Sequence, residues 1–276
     1  MALPRADAFD PQLRARVASG AVLAAVVIVD VVLGGWYFAL LVMAAIVLMA
    51  YEWAGLAANA GRAGQLVIGI AGLAAPVLGV VWAMRGASEA AVGGLAVAAV
   101  LAAGTAAVLA PRGTVRAGLG VLYLGLPAVA LVWLRNDPDN GRAAILWLLL
   151  VVWTTDIAAY FVGRAIGGRR LAPRISPGKT WAGLLGGMTG AAVIGAIFAW
   201  AFGGLAAAGA AVAALLAAVA QAGDLFESWI KRVAGVKDSG HLIPGHGGVL
   251  DRLDGLLFAA PAFAVFAALA GVRVAP

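Results

Sequence analysis

The sequence predicts an all-α, polytopic integral membrane protein of about nine transmembrane helices with a cytoplasmic N-terminus. Three observations carry this. Of the 276 residues, 64% are hydrophobic and 12% charged. That is about half the charge of a soluble domain, so the chain cannot cover itself with polar surface and must face lipid. Nine apolar stretches approach the roughly 20 residues that a helical span needs. When these stretches cross alternately, the basic residues collect on one side.

Residues 17–33 and 36–58 form the first two stretches, divided by Gly34 and Gly35, a tight turn. The first follows a segment holding Asp7 and Asp10 and is too long for a signal core, so a retained first helix is expected. At the end of the second, Glu52 and Trp53 read as an acid beside an interfacial aromatic. Residues 66–84, 90–110, 117–134 and 143–163 follow, rich in Ala, Val, Leu and Gly. The stretches 182–202 and 205–233 are again divided by a glycine pair, Gly203 and Gly204, and 253–272 is the ninth.

With the N-terminus inside, all 19 Lys and Arg residues except Arg85, Arg135, Arg142 and Arg273 fall on the inner side. One missed helix would spoil that asymmetry. The net charge of +6 therefore reads as basic inner loops beside anionic lipid, with no nucleic acid as partner. The chain divides into residues 1–142, five scaffold spans, and 143–276, four spans carrying the two basic inner loops at 164–181 and 234–252. Small residues such as those at 183–190 let helices approach closely and permit a homodimer. A bacterial inner membrane is the expected location, with the chemistry on its cytoplasmic side.

Cysteine is absent and only His241 and His246 are present. Disulfides, thiolate nucleophiles and Cys- or His-rich metal sites are thereby excluded. A metal would rest on carboxylates, which favours Mg²⁺.

The segment GDLFESWIKRVAGVKDSGHLIPGHGGVLDRLDG, from Gly223 to Gly255, holds Asp224, Glu227, Asp238, Asp251 and Asp254, five of thirteen acids in the chain. It also holds Lys231, Arg232, Lys237 and Arg252. Such groups against a membrane are expensive and mark a functional site. Asp224, Ser228 and Lys231 share one helix face by spacing, with Glu227 beside it. The eighth helix would be about 43 Å long at 1.5 Å per residue, so its polar end can stand at the membrane rim. Asp251 and Asp254 begin the ninth helix, where the dipole favours acids. If the two helices are neighbours, Asp224 and Asp251 can face one another across a cation, with Asp254 one turn on. Between them, Pro244-Gly245-His246-Gly247-Gly248 offers backbone N–H groups to a polyphosphate.

A second cluster begins at Asp156, an acid near the inner end of the sixth span, set to serve a substrate or to partner Arg164 or a neighbouring helix. The basic loop after it ends in Ser176-Pro177-Gly178-Lys179-Thr180. Its bases can bind a lipid phosphate, with hydrogen bonds from Ser176 and Thr180. The cluster is not a P-loop, because the upstream Gly and the strand context are missing.

At these residues the chain resembles the phosphatidate cytidylyltransferase, or CDP-diacylglycerol synthase, family. That family's long C-terminal pattern of Lys-Arg, Lys-Asp, His-Gly-Gly and Asp-Arg-apolar-Asp fits from Ser228 to Asp254 without a gap. Gly223 to Glu227, Asp156 through Arg164, and Ser176-Pro177 are similar too. The family often carries Lys where Gly178 stands and Glu where Ala182 stands. The resemblance implies transfer of a cytidylyl group from CTP to phosphatidic acid, giving CDP-diacylglycerol and pyrophosphate. It implies metal at Asp224 and Asp251, supported by Ser228, Lys231, Lys237 and Arg252, with Asp224, Lys231, Lys237, Asp251 and Arg252 as the catalytic set. Asp156, Arg164, Ser176, Lys179, Thr180, Ser228, Arg232, Asp238, His246, Gly247 and Gly248 are the expected substrate-binding set, and Mg²⁺ the expected cofactor, held by Asp224, Asp251 and Asp254. A transporter would show paired repeats and charge near the midplane, whereas here charge gathers late in the chain. The D-G-x-x-A-R motif of CDP-alcohol phosphotransferases is missing, since Asp254-Gly255 lacks the continuation.

Overall fold

A computed structural model describes residues 11–57, 60–110, 114–242 and 247–270. Among the described residues it contains nine α-helices and one β-hairpin. The helices are α1 (Pro11–Leu33), α2 (Gly35–Leu56), α3 (Gly61–Met84), α4 (Ser88–Leu109), α5 (Thr114–Arg135), α6 (Gly141–Ile166), α7 (Trp181–Ala201), α8 (Ala206–Val233) and α9 (Leu250–Leu269). Each expected span falls on its own helix. Eight of the helices are long and apolar enough to cross a membrane, and α1 contributes a shorter apolar stretch, Gly20–Leu33. The all-α polytopic class is therefore the observed one.

The helix joints follow from backbone freedom. Gly34 has φ 67° between α1 and α2, and Gly203 has φ 76° between α7 and α8, a region that costs glycine little. At the first joint Arg135 donates from Nε to the carbonyl of Val31 at 2.7 Å and from Nη2 to that of Val32 at 3.3 Å. The end of α1 is thus satisfied by a guanidinium from α5. A side chain on Gly34 would run into that guanidinium.

Helices α2 to α5 pack on one another, α6 to α8 follow as sequential neighbours, and α9 lies against α8, α6 and α5. Ile46, Trp53, Ile68, Leu124 and Leu148 are fully buried among them. Val100, Trp200, Leu205 and Leu269 are more than 70% exposed, as outward residues of a bundle in lipid are. The small residues at 183–190 are used inside the chain. A Cβ on Gly183 would lie 2.9 Å from the Ala159 carbonyl, and one on Gly187 2.9 Å from that of Thr155. The stripe offered to a second copy in fact lets α7 sit close on α6, so it lends no support to a dimer.

The loop expected between the sixth and seventh spans contains a hairpin. β1 (Arg170–Ala172) pairs antiparallel with β2 (Ser176–Thr180), with Arg170 opposite Thr180, Ala172 opposite Ser176 and an irregularity between. The backbone N–H of Trp181 donates to the Arg169 carbonyl at 3.1 Å and so carries the hairpin directly into α7. With three and five residues the strands are too short for an alternating pattern, and Pro177 is compatible because a two-stranded hairpin has open edges. This hairpin positions Lys179.

Candidate active site

Asp156 in α6, Lys179 at the end of β2, the last turns of α8 and the first turns of α9 meet at one end of the bundle. Two hydrogen-bonded centres result. In the first, Lys179 Nζ lies 2.6 Å from Asp224 Oδ2 and donates to Gln221 Oε1 at 2.9 Å. Gln221 Nε2 donates in turn to Asp156 Oδ1 at 3.3 Å, and Ser228 Oγ to Asp224 Oδ1 at 3.3 Å. One lysine from the hairpin thereby ties α6 to α8.

The second centre surrounds Lys231. Its Nζ lies 2.6 Å from Asp251 Oδ1 and 3.2 Å from Glu227 Oε1. The Glu227 side chain is fully buried, and that approach lacks hydrogen-bond alignment, so neither of its oxygens has a hydrogen-bond partner. Asp251 also accepts backbone N–H bonds from Ser239, at 3.2 and 3.1 Å to its two oxygens, and from Gly248 at 2.8 Å. Asp224 and Asp251 are thus each engaged by a different lysine.

Asp254 lies in electrostatic reach of Asp224 and Asp156. The reason is the close approach of α8 and α9 at Gly223, where a Cβ would stand 2.6 Å from the Asp254 carbonyl and 3.0 Å from Phe258. Behind the acids, Tyr123 of α5 sets its ring tilted against Trp53 and edge-on to Phe226 and Phe258. Its hydroxyl is buried without a hydrogen-bond partner, in electrostatic reach of Asp224, Glu227, Asp251 and Asp254.

The other expected site residues have varied surroundings. Lys237 and Asp238 are exposed on the loop after α8, and Arg252 is exposed on the first turn of α9 in electrostatic reach of Asp156. Arg232 donates to the carbonyls of Ile175 and Val236 at 3.2 and 3.1 Å and so ties the hairpin turn to the end of α8. Thr180 is buried and caps α7, accepting from the Gly183 N–H at 3.0 Å. Arg164 donates to the hydroxyl of Tyr160 one turn away at 3.0 Å. Of the two partners expected for Asp156, the structure shows the neighbouring helix, through Gln221 of α8, and not Arg164. Ser176 is half-buried at the start of β2. Gly247 has φ 84°, Gly248 is buried, and His246 lies outside the described residues.

Three participants escaped sequence reasoning. Gln221 is a lone amide in an alanine-rich run, one turn before Asp224, and that isolation was its signal. Tyr123 looked like any apolar-span aromatic. Glu52 and Trp53, expected at the membrane interface, are both buried within the bundle, at 2% and 1% exposure. Trp53 Nε1 donates to the Arg116 carbonyl at 3.1 Å, while Glu52 accepts bonds from Ser239, Val249 and Leu250.

Among the described residues no three His or acidic side chains converge as a ready metal cage. The donor chemistry nonetheless suits a hard cation. Asp224, Asp251, Asp254 and Ser228 present oxygen donors, and beside them neither oxygen of the buried Glu227 side chain has a hydrogen-bond partner.

Comparison with known proteins gives one answer. The model of the cytidylyltransferase family matches residues 14–270. A phosphatidate cytidylyltransferase of Brucella suis is 42% identical over 264 residues, covering 93% of this chain and 94% of its own. One from Pseudomonas aeruginosa is 39% identical, covering 91% and 97%. One from Bacillus subtilis is 39% identical over about half of each chain, 52% and 54%.

Proposed function

The chain belongs to the cytidylyltransferase family, and from that membership we propose that it transfers the cytidylyl group of CTP to phosphatidic acid. The products are CDP-diacylglycerol and pyrophosphate, the former a precursor for phospholipid synthesis. A phosphate oxygen of phosphatidic acid attacks the α-phosphorus of CTP. The bond from that phosphorus to the bridging oxygen breaks, and pyrophosphate leaves with the electron pair. The attacking oxygen is already ionised near neutral pH, so no strong base is needed. Positioning and charge neutralisation do most of the work.

The observation that supports this reading is the pair of lysine–carboxylate centres at one end of a lipid-facing bundle. Lys179 and Lys231, with Lys237 and Arg252 on the surrounding segments, offset charge on the α-phosphoryl group and on departing pyrophosphate. Ser228 holds Asp224, and the Ser239 and Gly248 N–H groups hold Asp251, so both acids are oriented before substrate arrives. Mg²⁺ held by Asp224, Asp251 and Asp254 would supply positive charge to the triphosphate. The diacyl tails stay in the bilayer while the head group enters from the side. The site faces the cytoplasm of a bacterial inner membrane.

The test is direct. The purified protein in detergent receives labelled CTP, phosphatidic acid and Mg²⁺. Labelled CDP-diacylglycerol and pyrophosphate are expected, both lost on adding EDTA and in Asp251→Asn. Absence of a labelled lipid from the wild-type protein would refute the activity; wild-type turnover by Asp251→Asn would refute its place in the site.

A further inference from the structure

Glu52 stands near the end of α2, far in sequence from every acid discussed above, and is 2% exposed. Burying a carboxylate is costly unless strong donors replace water. Here three do. Glu52 Oε1 accepts the Val249 N–H at 2.9 Å, and Oε2 accepts the Leu250 N–H at 2.9 Å and the Ser239 hydroxyl at 3.1 Å. Leu250 opens α9, and α9 has no side-chain cap from its own N-cap residue, Val249. Glu52 therefore supplies, from another helix, the anionic cap that a helix N-terminus favours.

The same loop residues serve Asp251. Ser239 gives its hydroxyl to Glu52 and its backbone N–H to Asp251. Gly248 gives its N–H to Asp251, while the next two N–H groups go to Glu52. The two carboxylates thus take their donors from the same two segments, Ser239 and residues 248–250. Gly240 and Gly248 close over Glu52 so tightly that a Cβ on either would stand 2.7 Å from a carboxylate oxygen. Only a backbone without side chains at these two positions fits that approach.

We infer that Glu52 is a positioning residue for the reaction: its carboxylate clamps Ser239 to the start of α9, and Ser239 and Gly248 orient Asp251. This rests on the cytidylyl transfer proposed above. Glu52 touches no reacting atom and acts through the Ser239 and Gly248 N–H groups. Replacement by Gln keeps the shape but sets an amide NH₂ against a backbone or hydroxyl donor, which opens one side of the clamp.

The experiment compares wild type, Glu52→Gln and Ser239→Ala in detergent. Wild-type turnover is measured first, so that failure of the activity itself is separately visible. Glu52→Gln is expected to lower kcat about 100-fold, the size of a misplaced reacting group, with the KM for CTP nearly unchanged. Combined with Asp251→Asn it should add almost no further loss, because both act through one group. Hydrogen exchange without metal or substrate should quicken at residues 239, 248, 249 and 250 and stay unchanged in α5. Ser239→Ala removes one of the three bonds and should show the same pattern at smaller amplitude, which keeps the inference testable if Glu52→Gln does not fold. Wild-type kcat in Glu52→Gln, multiplicative losses in the double variant, or faster exchange spread evenly through the bundle would each overturn it.

Discussion

Lys179 Nζ lies 2.6 Å from Asp224 Oδ2, which joins the end of a short β-hairpin to the last turns of α8. The same ammonium reaches Asp156 through Gln221. A segment with the composition of an ordinary basic loop is thereby built into the centre of the site.

Removing that ammonium should be more damaging than removing its basic neighbours. Lys179→Ala is expected to lower kcat/KM about 100-fold or more, the scale of losing a positioned charge at a phosphoryl centre. Arg164→Ala, whose parent side chain bonds its own helix neighbour Tyr160, should cost at most about a tenth of that factor. Initial rates with labelled CTP check both. Equal losses would remove Lys179 from its central place.

Lys231 should matter for stability as well as turnover. Its side chain is 12% exposed between Glu227 at 0% and Asp251 at 7%. Lys231→Met leaves the buried Asp251 without its ion-pair partner, at a cost of about 3–5 kcal/mol. Adding Asp251→Asn to Lys231→Met should recover part of that loss, because the stranded charge disappears. Thermal unfolding in detergent reads the order: wild type highest, double variant next, Lys231→Met lowest.

Gly223 is predicted to be intolerant for a purely steric reason. Gly223→Ala places a methyl group 2.6 Å from the Asp254 carbonyl, and overpacking of this kind costs about 1–3 kcal/mol. Because the displaced backbone carries Asp254, activity should fall with stability. Gly104 of α4 is the control, since a Cβ there meets nothing within 4 Å. Gly104→Ala should be neutral or stabilising by up to about 1 kcal/mol.

Divalent metal should act through the acids of α8 and α9. Asp254→Asn is expected to raise the Mg²⁺ concentration for half-maximal activity about tenfold while leaving the fold intact. Rates across a Mg²⁺ titration and an unfolding curve measure the two effects. An unchanged titration would leave Asp254 without a part in metal binding.

Much of this was legible along the chain. Continuous apolar length is a local property, so the nine helices among the described residues and the glycine joints at Gly34 and Gly203 could be read directly. The Ser228–Asp254 block was legible because ionisable groups are costly beside lipid and stand out against an apolar background. The hairpin was missed because its strands are too short to show a period. Glu52 was missed because a solvated acid near a span end and a buried one look alike in sequence. What separates them is whether donors arrive, and here the donors come from the turn before α9.

The sequence alone determined the solvent of this protein, the apolar spans that become its described helices and the end of the chain that carries the acids. It could do so because lipid requires every span to satisfy its own backbone, which makes each helix a self-contained and readable unit. Tertiary structure decided the pairings: Lys179 with Asp224, Lys231 with Asp251, Glu52 with the turn before α9. Those bonds join residues on separate elements, and only helix packing, set by close contacts such as Gly223 against Asp254, brings their charges within reach.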